Sequence, residues 1–223
     1  MLFRSAGLRP LVSTDPESPT TKLSREHVVD SPAHGFVSIA GGKYTTYRVM
    51  SEDAVNEAIN HMRKIVPDSA TETLAIIGAD GYSVLMNQIP RIAQKYKISE
   101  RSVEHLLNRY GSLIDEVLEP AEKDSTLLEL ITQSLPYLRA EILYAVTHEG
   151  ARSIDDVLAR RTRIAFEAPD QGLSIIDEVA DLISGTLGWN ASERKKSIQE
   201  YREIITRQNN QLHVATSGTS KVS

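Results

Sequence analysis

The stretch Phe36-Val37-Ser38-Ile39-Ala40-Gly41-Gly42-Lys43-Tyr44-Thr45-Thr46-Tyr47-Arg48 decides the fold, because the chain changes character in the middle of it. Phe36 to Ala40 is a short apolar, β-prone run that stops at the glycine pair. Thr45 or Thr46 then caps a helix that the pattern carries through Ser51-Glu52-Asp53 to about Lys64, with Val55, Ile59, Met62 and Val66 at helical steps on one face. Pro67 ends it. Upstream, Gly7, Pro10, Pro16, Pro19, Pro32 and Gly35 alternate with short runs such as Val28-Val29, a pattern of strands and loops. These fragments are too few to build a sheet covered on both faces.

Beyond the pair nearly everything reads as helix. The spacing predicts helices over Ser83 to Tyr96, bent or broken at Pro90, then Ser99 to Tyr110, Ser112 to Val117, Leu127 to Gln133 and Leu135 to His148. Val103, Leu106, Leu107 and Tyr110 share one face of the second, and Gly111 stops it. Ser153, with Asp156 three residues on, caps Ile154 to Arg161; Ile175, Val179, Leu182 and Ile183 mark another helix reaching Gly185; Ser192 caps a last one from about Glu193 to Gln208. The polar end around Thr216-Ser217-Gly218 reads as a disordered tail. The expected division is 1–66, 67–211 and a tail over 212–223, and the fold class is mainly α, an all-helical carboxy-terminal domain preceded by a short α/β segment.

Composition sets the outer limits. The chain has 223 residues, 40% apolar and 25% charged, which is globular composition with enough length for a sizeable core. Twenty-five Lys plus Arg stand against 30 Asp plus Glu, and the net charge of -5 gives no overall drive towards nucleic acid. With no cysteine there is no disulfide framework, thiolate zinc site, iron–sulfur cluster or cysteine nucleophile, and the six histidines show no metal-ligand spacing. No run approaches the roughly eighteen apolar residues of a membrane-spanning helix.

The densest chemistry lies in Gly41-Gly42-Lys43-Tyr44-Thr45-Thr46, where a strand-to-helix turn presents backbone N–H groups and a cation. Such a turn receives an anion or an electron-rich ring edge, although a plain connecting turn has the same pattern. A phosphate-cradling loop would need Gly in place of Val37 and Ser or Thr in place of Tyr44, and no Gly-x-Gly-x-x-Gly occurs. In Gly7-Leu8-Arg9-Pro10-Leu11 the proline holds Arg9 extended, and Arg25 follows in Ser24-Arg25-Glu26-His27. Two guanidinium forks near one lysine suit a small phosphorylated substrate, while each arginine taken singly reads first as a solvated surface charge or half of an ion pair. Arg160, Arg161 and Arg163 beside Asp155 and Asp156 read as an ion-paired surface, and His148-Glu149 as a helix-end cap.

These strings, in this order and spacing, closely resemble the carboxy-terminal part of FAD-dependent glycerol-3-phosphate dehydrogenases. The likeness continues through Tyr137-Leu138-Arg139-Ala140-Glu141, Ala145-Val146-Thr147-His148-Glu149-Gly150-Ala151, Asp155 to Arg163 and Leu187-Gly188-Trp189, and runs from about Gly7 to Tyr201. The resemblance implies oxidation of sn-glycerol 3-phosphate to dihydroxyacetone phosphate, with FAD as hydride acceptor and a quinone at the membrane as the next electron carrier. It implies catalytic roles for Arg9 and Lys43, with Lys43 near the flavin N1/C2 carbonyl edge. Gly41 and Gly42 would permit close approach, Thr45 and Thr46 would add contacts to that edge, and Arg9 and Arg25 would hold the substrate and its phosphate. It further implies a cytoplasmic protein peripheral to the membrane, a homodimer as a possible assembly, no nucleic-acid partner and no metal.

The family's dinucleotide loop, much of its FAD domain and its usual active-site histidine precede the matched region. The expectation is therefore a piece of a longer protein, with 1–66 a remnant of the flavin and substrate region, inactive alone and not retaining FAD. The rival expectation is a non-catalytic helical interaction module that keeps family sequence.

Overall fold

The computed structural model describes residues 26–62 and 64–217, with side chains through 210. The chain divides into two compact units, one ending at Ala75 and one beginning at Ile76. In the first, β1 (His27–Ala33) and β2 (Phe36–Gly41) pair antiparallel as a hairpin, with His27 opposite Gly41 and Val29 opposite Ile39. A single 3₁₀ turn, Tyr44–Thr46, leads into α1 (Tyr47–Met62), which packs on the hairpin. The apolar stripe expected on α1 is only partly covered among the described residues: Ile59 is half-buried, but Val55 and Met62 are 56% and 55% exposed. A two-stranded hairpin has too little area to bury a helix face of that width.

In the second unit α2 (Tyr82–Met86) and α3 (Ile89–Tyr96) replace the bent helix expected over Ser83 to Tyr96. The break falls before Pro90, which sits in the first turn of α3, where its missing N–H costs nothing. Ser99 caps α4 (Glu100–Tyr110) by accepting from the Ser102 amide at 3.0 Å, and a 3₁₀ turn precedes α5 (Ile114–Leu118). The helix expected over Leu127 to Gln133 is absent. Asp124 instead caps a 3₁₀ turn, Ser125–Leu128, and Leu130 then bridges Leu138, with the Ile131 amide donating to the Tyr137 carbonyl at 2.9 Å. That bridge, with Pro136 inside it, also delays the next helix, so α6 spans Arg139–Thr147 rather than starting at Leu135.

A π-type turn, Asp156–Arg161, precedes α7 (Ile164–Glu167) and α8 (Ile176–Leu187). The last helix, α9 (Ala191–Ser217), is capped by Asn190 rather than Ser192: the Asn190 side chain accepts from the Ser192 and Glu193 amides, and Glu193 accepts from the Asn190 amide. It continues past Gln208 because no proline or glycine intervenes before Gly218.

Two apolar clusters fill this unit. Val103, Leu106, Leu107, Ile114, Val117 and Leu118 form one, on α4 and α5. Ile142, Ile154, Leu158, Ile164, Val179, Ile183 and Tyr201 form the other, where α6 packs on α8 and α8 on α9. Of the stripe read as Ile175, Val179, Leu182 and Ile183, Leu182 is only half-buried and touches both clusters. Among the described residues no helix is long and apolar enough to cross a membrane.

Gly111, with φ +57, lies so close to Gly78 that a Cβ on it would stand 1.9 Å from the Gly78 carbonyl oxygen, which accepts from the Ser112 amide at 2.9 Å. Gly111→Ala is expected to destabilise by about 1–3 kcal/mol through strain and the lost approach. Gly185→Ala, in α8 with open space around it, is expected to stabilise by about 0.5–1 kcal/mol. Thermal unfolding followed by circular dichroism checks both; equal effects would count against this account of the turn.

Candidate functional site

The candidate site is built by the turn that ends β2. Gly41 and Gly42 take φ values of +79 and +78, which swing the chain off the sheet edge in two residues. Lys43 is extended, and the next three residues close on it: the Thr46 amide donates to the Lys43 carbonyl at 3.0 Å, while the Thr46 hydroxyl accepts from the Lys43 N–H at 3.3 Å and donates to its carbonyl at 3.0 Å. The turn rests on a platform. A Cβ on Gly42 would come within 2.6 Å of Met50 Sδ and 3.2 Å of His27 Cβ, so a side chain there meets both backbone strain and a clash.

Between this turn and α1 opens a hollow of about 660 Å³, lined by Ile39, Gly41, Gly42, Lys43, Tyr44, Tyr47, Met50, Ser51, Ala54 and Val55. Its floor is apolar and its charged wall residue is Lys43, which is exposed and makes no ion pair with a described residue. A flat, largely apolar ligand with negative charge at one edge suits such a hollow.

Gly41, Gly42 and Lys43 thus share one wall. Thr45 is exposed and does not line the hollow, and the Thr46 hydroxyl is taken up by the turn itself. Arg9 and Arg25 lie outside the described residues. Met50, Tyr47 and His27 were not singled out from the sequence. The i to i+3 step from Tyr47 to Met50 on the first turn of α1 is the signal that points two side chains towards the glycine pair.

The second unit holds a buried charged cluster that the sequence did not announce. His105 on α4 pairs with Glu141 on α6 at 2.9 Å, and the other Glu141 oxygen accepts from the Leu138 amide at 2.8 Å. The Tyr137 hydroxyl donates to Glu167 at 3.1 Å and accepts from the Arg163 amide at 3.2 Å; burial, then the Glu167 charge, pushes Tyr137 up to about 12. Arg161 donates to the Glu149 carbonyl at 2.7 Å. Glu149 Oε2 is buried with no hydrogen-bond partner, and burial raises the Glu149 carboxyl against the pull of Arg109 and Arg161. These groups are bonded mainly to one another, which makes the cluster structural.

His148 closes α6 as the cap expected, its amide donating to the Tyr144 carbonyl at 2.9 Å, but its ring bonds no carbonyl of the described residues. Its ring stacks on Tyr144 with centroids 4.5 Å apart, and Nδ1 meets the Thr147 hydroxyl at 2.8 Å. Arg160 pairs with Asp155 and Asp156, and Arg163 with Glu167, as the ion-paired reading of that segment expects.

By fold the chain is a helical domain preceded by a hairpin and its packed helix. A family described as the C-terminal domain of alpha-glycerophosphate oxidase matches residues 69–194, and the chain belongs to it. It is 45% identical over 196 residues to glycerol-3-phosphate dehydrogenase 2 of Mycobacterium tuberculosis, covering 88% of this chain and 33% of that protein. It is 32% identical over 206 residues to the mitochondrial glycerol-3-phosphate dehydrogenase of Bos taurus, covering 90% and 28%. The chain therefore spans about a third of the length of these relatives. The solved structure of the glycerol-3-phosphate dehydrogenase from Bacillus halodurans complexed with FAD shares its fold, with a TM-score of 0.60 and 24% identity over 75% of this chain and 34% of that one. The resemblance read from the motifs is borne out at this level.

Gly42→Ala is expected to loosen the turn, raising amide exchange at Lys43 and Thr46 by about tenfold or more, as a strain of about 1–3 kcal/mol requires. Unchanged exchange would mean that the platform yields. Glu149 binds its proton more tightly folded than at its ordinary value of 4.5, so its contribution to stability is present below that pH and lost as pH rises through the folded value. Glu149→Gln is therefore expected to raise the melting temperature at neutral pH, with the two proteins converging below about pH 4.5.

Proposed function

We propose that the chain is the carboxy-terminal portion of an FAD-dependent glycerol-3-phosphate dehydrogenase. The carrying observation is the turn: two side-chain-free residues and a lysine that pairs with no described carboxylate form one wall of an apolar hollow. Gly41 and Gly42 present backbone with no side chain to the hollow, Gly42 being packed beneath on Met50 and His27, and the wall offers one positive charge. Both features fit the pyrimidine edge of a flavin, held by Gly41, Gly42 and Lys43. FAD, when bound, supplies the two-electron acceptor for oxidation of sn-glycerol 3-phosphate to dihydroxyacetone phosphate, and a quinone at the membrane takes the electrons onward.

The chain's own part is electrostatic. The Lys43 ammonium holds its field at the hollow, and its attraction grows as negative charge develops there, so it lowers the barrier more than it tightens ground-state binding. Arg9 would face the substrate, and Arg25 would hold a phosphate dianion already charged in the ground state. Thr45 adds an exposed hydroxyl beside the turn, and the Thr46 hydroxyl acts by fixing it. The isolated chain is proposed to retain no FAD, since it has no Gly-x-Gly-x-x-Gly loop. In the complete enzyme this reading carries peripheral membrane attachment and assembly as a homodimer.

The test joins residues 7–201 of this chain to the remainder of the Mycobacterium tuberculosis relative, in place of the segment they match. The chimera is expected to carry flavin through gel filtration and to oxidise glycerol 3-phosphate. Within it, Lys43→Met is expected to slow flavin reduction about ten- to a hundredfold with little change in KM, and Arg25→Ala to raise KM by a similar factor. A folded chimera without flavin overturns the proposal. Unchanged reduction in the lysine variant removes Lys43 from it.

A further inference from the structure

The turn that presents Lys43 is clamped from below by a hydrogen bond between two side chains. His27 opens β1 directly opposite Gly41, the last residue of β2. Its Nε2 lies 2.7 Å from Asp53 Oδ2 on α1, with the His27 side chain 18% exposed and Asp53 47%. The same histidine's Cβ, with Met50 Sδ, occupies the space that a side chain on Gly42 would need. Met50 and Asp53 are three residues apart on α1 and so share a face. The pair thus fastens the start of β1, the end of β2 and the first two turns of α1 at one point, directly under the glycine turn.

A second link lies farther along the hairpin, where the Ser31 hydroxyl donates to Glu57 at 2.8 Å and His61 contacts both, at 3.0 Å to Ser31 and 3.1 Å to Glu57. It ties β1 to the far half of α1 and touches nothing at the turn. Of the two links only the His27–Asp53 pair bears on the backbone that aims Lys43.

We propose that His27, held by Asp53, is a positioning residue for Lys43: it touches neither substrate nor cofactor and acts by fixing the Gly41–Lys43 turn against α1. The inference rests on the reading of Lys43 given above. A fixed charge lowers a barrier only if it need not be reoriented during the reaction, and small displacements of such a group lose much of its effect. The histidine's contribution therefore passes through the lysine and vanishes when the lysine is gone.

Two measurements test this. In the chain as it stands, His27→Ala and, more mildly, Asp53→Asn are expected to speed amide exchange at Lys43 and Thr46, about tenfold for the former, while amides of the buried α4 and α6 keep their rates. In the chimera, His27→Ala is expected to slow flavin reduction about tenfold with KM for glycerol 3-phosphate within about twofold, and to cause no further loss when Lys43→Met is already present. Unchanged exchange in both single variants overturns the clamp. Fully additive losses in the double variant overturn positioning through Lys43 and leave a general structural role. If the unsubstituted chimera holds no flavin, the catalytic reading of Lys43 falls, and the inference with it, whatever the exchange data say of the clamp.

Discussion

Glu141 has no exposure to water, and both of its carboxylate oxygens are committed, one to the Leu138 amide that opens α6 and one to His105 on α4. A buried carboxylate is costly unless every lone pair that faces protein is met, and here it is met from two elements at once. The first bond starts a helix straight after the Leu130–Leu138 bridge, with no serine, threonine or aspartate at the cap position. The second ties that helix to the one 36 residues earlier in the chain. Leu138 and Ala140 face one apolar cluster and Ile142 and Ala145 the other, so the residue between them in sequence is the one fixed by hydrogen bonds to Leu138 and His105. Replacing Glu141 would leave His105 and the Leu138 amide facing a dry interior, which is why the arrangement of the helical unit hangs on this one group.

The hairpin unit is organised on the opposite principle. It has little core, and α1 contributes no buried residue. What gives it shape is polar: His27 to Asp53, Ser31 to Glu57 and His61, Arg48 to Glu52 at 2.5 Å, and the Thr46 hydroxyl across Lys43. Exposed links of this kind are individually weak, since water competes for each partner. They do fix direction, however, and direction is what a turn carrying a functional cation requires. The apolar surface of α1 stays partly uncovered within the described residues, a contrast with the helical unit that the domain family, matched over residues 69–194, shares with much longer relatives.

Legibility followed the range of the interaction. Local signals were readable: Ser99 and Gly111 bound α4, and the glycine pair marks the change from strand to helix. Where a non-local contact outweighed the local pattern, reading by period failed. Leu127, Leu128 and Leu130 have helical spacing, yet pairing of Leu130 with Leu138 holds that segment open. The buried charges were illegible for the same reason, since His105, Glu141 and Glu149 each look like a solvated residue until the fold brings α4 and α6 together. At the candidate site the wall of Gly41, Gly42 and Lys43 was visible because it is contiguous, while the platform of His27 and Met50 beneath it was not.

That difference also separates what the turn presents from what holds it. Several cations of this acidic chain are spent on neighbouring carboxylates: Arg139 on Glu129 and Glu178, Arg160 on Asp155 and Asp156, Arg194 on Asp177 and Asp181. Lys43 has no such partner among the described residues, and His27 beneath the turn is bonded to Asp53 rather than to the lysine. A carboxylate placed to hold the lysine directly would fix it better but would cancel its field, so the two requirements conflict at the side chain. Fixing the backbone instead, through glycines packed on a histidine already bonded to Asp53, meets both: the ammonium stays aimed and no described carboxylate neutralises it. The positive φ at Gly42 and the His27–Asp53 bond behind it are then two parts of one solution to a single electrostatic problem.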